Sequence, residues 1–98
     1  MPNIVIVGYS ADVALNVRDT VDGLMKHMGL HSDAITTIFP ANTKFCDSPV
    51  TKNAPYIIVR DSKPDEAEQI ARALQNTLPE EDIEWETIGG FLPGKKTT

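Results

Sequence analysis

The chain carries one three-part pattern twice: a continuous apolar run, a segment whose apolar residues recur at spacings of three and four, and a second run suited to a strand. In the first copy Ile4, Val5, Ile6 and Val7 follow Asn3 without interruption and stop at Gly8, which fits a strand covered on both faces. Ala14, Val17, Val21, Leu24, Met25 and Met28 then lie on one face of a helix that starts near Ser10 or Asp12 and ends at Gly29. Ala34 to Phe39, AITTIF, is rich in β-branched and aromatic residues and is closed by Pro40, so it is predicted to be a strand. A strand, a helix and a strand in that order form a βαβ unit, whose two strands run parallel.

The second copy follows a polar stretch from Pro40 to Ala54, predicted to be a loop. Tyr56 to Val59 is its apolar strand, and RDSKPDE supplies a serine cap, a proline in the first turn and two acids at a helix start. Ala67, Ile70, Ala71, Leu74 and Leu78 make the buried stripe, and Pro79 prevents continuation. Asp82 to Ile88 alternates, with Ile83, Trp85 and Thr87 on one side and Glu84 and Glu86 on the other. Gly89 and Gly90 supply a turn, FLPG a short return strand, and Lys95 to Thr98 a basic, frayed tail.

The expected fold is therefore α/β (α+β): one domain over residues 1–98, with two βαβ units forming a four-stranded sheet and two helices on one face. The other face needs a cover, and a sister subunit is the simplest candidate.

Composition narrows the function classes. Hydrophobic residues at 41% and charged residues at 23% belong to a globular protein, and no apolar run approaches the roughly 20 residues of a bilayer span. The start lacks the three regions of a secretory signal, and the single cysteine, Cys46, fits a reducing compartment; a cytoplasmic protein is expected. A net charge of -5 argues against nucleic acid and anionic membranes as partners, while one or two local cations suffice for a small anionic substrate.

Pro2 is the candidate with the sharpest chemistry. A small second residue ordinarily lets the initiator Met1 be removed, which leaves Pro2 as a free secondary amine at the tip of a strand. An α-amine has an ordinary pKa of about 8, and burial or a cation nearby brings it toward the operating range of a general base. The plain alternative is a strand-start proline, a position that needs no ladder N–H donor.

The MP start, the strand NIVIVG closing in glycine, the long amphipathic helix and the repeated βαβ half ending in a glycine-containing hairpin together resemble the tautomerase superfamily. That group includes 4-oxalocrotonate tautomerase and macrophage migration inhibitory factor, and the length matches its small bacterial members. The layout spans residues 2 to about 93. The resemblance implies a homotrimer without cofactor or metal, in which Pro2 moves a proton between an enol oxygen and a carbon beside a carbonyl of a small enol or keto acid.

The arginines that hold substrate in the 4-oxalocrotonate group have no counterpart in GYSAD or AITTIF. The cations left near strand ends are Arg60 and Lys44, and Tyr9 follows the strand-ending Gly8 with a hydroxyl suited to an enolate. Arg18 and Arg72 fall off the apolar stripes and are expected to face water. His27 and His31 are read as structural, Trp85 as core or interface, and Cys46 as a thiol with no evident base. The rival reading is a noncatalytic module, either on the tautomerase fold or on the ferredoxin-like fold, which has the same element order. An RNA-binding version of the latter would need more than Tyr56 on its third strand.

Overall fold

The structure, a computed structural model, describes residues 2–41 and 54–88. Its elements run β1 (Asn3–Val7), α1 (Ala11–His27), β2 (Ile35–Phe39), β3 (Tyr56–Asp61), α2 (Pro64–Thr77) and β4 (Ile83–Thr87). The expected loop interior, including Lys44 and Cys46, and the Gly89–Gly90 turn, return strand and tail lie outside the described residues.

The four strands form one mixed sheet in the order β2-β1-β3-β4. β1 runs parallel to β2 and β3 parallel to β4, while the central pair β1 and β3 is antiparallel. Each βαβ unit thus closes on adjacent strands. The ferredoxin-like arrangement splits its βαβ units by inserting a strand, so it is not the one adopted here.

Side-chain alternation sets what the sheet presents. Ile4 lies opposite Val59 and Ile6 opposite Ile57, and all four are fully buried. They form a single core with Val17, Val21 and Met25 of α1 and Ala67, Ile70 and Leu74 of α2, so both helices cover the same face. β1 was expected to be covered on both sides, but its burial alternates, with Asn3, Val5 and Val7 only half-buried. No described element covers the face that carries Val5, Val7, Thr37, Phe39 and Ile58, and Ile35 on its edge is 47% exposed.

The helix ends show how local chemistry fixes the frame. α1 stops where Gly29 takes φ +75, with its N–H bonded to the Lys26 carbonyl and the Leu30 N–H to the Met25 carbonyl, a Schellman ending. Gly8 turns the chain out of β1 at φ +87, where an added Cβ would come 3.3 Å from the Pro55 backbone. α2 begins at Pro64 as expected, but its N-cap is Lys63 rather than the anticipated Ser62, and no side chain caps it directly. The Asp61 carboxylate instead accepts from the Lys63 N–H at 3.1 Å, a two-residue turn that launches the helix.

Trp85, expected in the core or at an interface, belongs to the edge strand β4 and is 41% exposed, which places it outside the core.

Candidate functional site

The central antiparallel pair gathers chemistry at one end of the sheet. Asn3 faces Arg60 in the register, so the next pair outward is Pro2 and Asp61. Alternation puts Pro2 and Asp61 on the helix-covered face with Ile4 and Val59, and both side chains are fully buried. Pro2 is tied into the sheet by its carbonyl, which accepts from the Ile35 N–H at 2.9 Å. Its place at the start of β1 satisfies the structural demand on a strand proline and puts its ring on the same covered face as Asp61.

Asp61 meets a second acid, Glu66, in the first turn of α2. Burial raises the Asp61 pKa, but the hydrogen bond with Glu66, those from the Lys63 and Ser62 backbone and the positive amino terminus outweigh it and hold Asp61 below the ordinary range. Glu66 moves the other way. The shared hydrogen bond, burial and the Asp61 charge hold its proton more tightly, although Lys63 and the amino terminus oppose this. Thr87, opposite Asp61 on β4, contributes a buried Oγ1 with no hydrogen-bond partner among the described residues.

Arg60 lies at the same end but on the uncovered face. Its Nε is 2.6 Å from Glu86 Oε2 on β4, and both side chains are 45% exposed. Such a pair is weak enough to be displaced, since exposed ion pairs contribute about 0–1 kcal/mol. Asn3, its register partner, accepts a long hydrogen bond of 3.5 Å from Thr37 Oγ1.

Tyr9 sits elsewhere. It follows the far end of β1, about 23 Å from Pro2 at the usual strand rise. Its hydroxyl donates to Glu81 Oε1 at 2.6 Å, and its ring is 5% exposed. Burial, then the hydrogen bond to Glu81 and the negative charges of Glu81 and Asp82, raise the phenol well above its ordinary pKa. The arrangement pins the exit of β1 to the turn before β4. Of the candidates read from the sequence, Pro2 and Arg60 thus lie at the same end of the sheet on opposite faces, Tyr9 is set apart and Lys44 is outside the described residues.

Arg72 points to solvent as expected, paired with Glu68, whereas Arg18 is only half-exposed, with its Nε buried and Asp19 3.4 Å from its Nη2. His27 and His31 are exposed. Among the described residues no group of three His, Cys, Asp or Glu side chains is placed to hold a metal ion, and no helix is long and apolar enough to cross a membrane.

Asp61 and Glu66 were not among the sequence candidates. The available signal was phase: Asp61 continues the alternation of Ile57 and Val59, which places it on the covered face. Comparison with known proteins finds no matching family model, no similar curated protein and no similar solved structure.

Proposed function

We propose that this protein is a small homo-oligomeric isomerase of the tautomerase kind, which moves a proton within a small enol or keto acid and uses the Pro2 amine as general base. The carrying observation is the burial of Pro2 at the end of the central strand pair, with Arg60 at the same end on the opposite face. Burial favours the neutral form of an amine, the form able to accept a proton near neutral pH. Arg60 is the cation available to hold the substrate carboxylate, which would take the place of Glu86 in a bidentate pair. The strand order, two unsplit βαβ units joined by an antiparallel seam, supports the tautomerase layout, and the apolar face that no described element covers supports assembly of copies, with a trimer as the family-like state.

A second reading is a noncatalytic binder on the same scaffold. The existing Arg60–Glu86 pair favours it, because an anion clamp already occupied by a carboxylate has less to offer a substrate.

The experiment compares protein whose intact mass shows Pro2 as its first residue with protein carrying one added residue before Pro2. Enol acids are supplied and loss of enol absorbance is followed. Turnover by the first and not by the second is expected. Equal turnover by both would remove Pro2 from the chemistry, and no turnover by either across a panel of small enol and keto acids would favour the binder.

A further inference from the structure

Asp61 is a fully buried acid next to Arg60, the register partner of Asn3, so continuing that register by one residue sets it across from Pro2. Directly opposed residues of an antiparallel pair have Cβ atoms about 4.5–5.5 Å apart, close enough for unscreened charge interaction in a buried setting. We propose that Asp61 is a positioning residue for the Pro2 amine: it is the counter-charge that holds the amine at the end of β1 and sets the pH at which the amine gives up its proton. The proposal rests on the reading of Pro2 as the processed amino-terminal residue, but not on any particular substrate.

The neighbours fit that role. Glu66 shares a hydrogen bond with Asp61, and that bond shifts Glu66 toward holding its proton and Asp61 toward its charged form. An ionised Asp61 favours the charged form of an amine placed across the strand end. The other charged groups here are less suited. Arg60 and Glu86 neutralise one another on the uncovered face, and Lys63 and Asp65 are exposed at the start of α2.

Two opposing influences therefore act on the amine. Burial lowers its pKa and Asp61 raises it, so the balance between them fixes the amine's working range. Mobility is affected as well, because an ion pair across the strand ends restrains a terminus that would otherwise fray.

The test is the pKa of the Pro2 amine, followed by nitrogen NMR of labelled proline in protein whose intact mass fixes its first residue. Asp61→Asn is expected to lower that pKa by about one unit or more, the size expected for loss of an opposite charge at this range. An unchanged value in a folded variant would overturn the proposal, as would retention of Met1 in every molecule. If Asp61→Asn does not fold, the unmodified protein supplies the answer. There the Asp61 carboxyl carbon should respond twice on titration, once with its own pKa and once with that of the amine. A single response would overturn the proposal. Failure of the isomerase reading is separable, because it appears as missing turnover with the amine–carboxylate coupling intact.

Discussion

Tyr9→Phe removes one oxygen from a ring that is 5% exposed and leaves the packing of that ring unchanged. The lost bond, 2.6 Å from the hydroxyl to Glu81 Oε1, has the short length of a hydrogen bond to a charged acceptor. Such bonds contribute about 1.5–3 kcal/mol. Glu81 is only half-buried and regains water when released, so the loss falls at the lower end, about 1.5 kcal/mol. For a domain of 98 residues that corresponds to a fall in Tm of about 6–12 °C.

The pH dependence has a definite sign. The phenol is raised in the folded protein above its ordinary value of 10.0, so its stabilisation is complete below that pH and is lost as pH rises toward the folded value. The deficit of Tyr9→Phe should therefore be constant at neutral pH and shrink above about pH 10. Denaturant unfolding at a series of pH values measures it, and a double cycle with Glu81→Gln isolates the pair. A neutral-pH loss below about 0.5 kcal/mol would refute the latch, since it would make the bond no better than one to water. Loss of turnover at unchanged stability would instead return Tyr9 to the substrate.

Other outcomes follow from the same geometry. Asp61, held low, gives stability that is present above its ordinary value of 3.8 and lost as pH falls through the folded value; Glu66, held high, gives stability that is present below 4.5 and lost as pH rises through its folded value. Glu66→Gln should thus abolish a fall in stability on the neutral side of a mildly acidic maximum, and denaturation curves of the two proteins that stay parallel with pH would contradict the shared proton. Leu74→Ala, at a fully buried position of α2 facing the sheet, should cost about 2–5 kcal/mol in chemical denaturation. Gly8→Ala should cost about 1–2 kcal/mol, since φ +87 disfavours any side chain and the new Cβ meets the Pro55 backbone; a neutral result would show that the turn can relax. Ile58→Lys, on the uncovered face, should shift sedimentation toward the monomer if copies meet there, and an unchanged mass would move the interface elsewhere.

The two amphipathic stripes were legible because a helix against a sheet needs one apolar face, and Gly29 and Pro64 marked helix boundaries for backbone reasons that act locally. The extension of β3 through Arg60 and Asp61 was not legible. It depends on which strands become neighbours, and a charged pair after an apolar run equally suits a helix entry. The same missing register hid the meeting of Pro2 with Asp61, whereas Tyr9 looked adjacent to the chemistry only because sequence distance along a strand conceals real separation. The core half of the expectation for Trp85 failed for a related reason: alternation identifies the side of a strand, but only topology tells whether that side lies at the middle of the sheet or at its rim.

The antiparallel seam also bears on how the chain assembles. Contacts within each βαβ unit join residues nearer in sequence than those between Asn3 and Arg60 or Val7 and Tyr56, so each half has the shorter loops to close and the seam is the natural last step. Joining the halves edge to edge closes a longer stretch of chain than either unit does, so the seam carries the larger closure entropy. The seam is thus where two locally closed units become a single core.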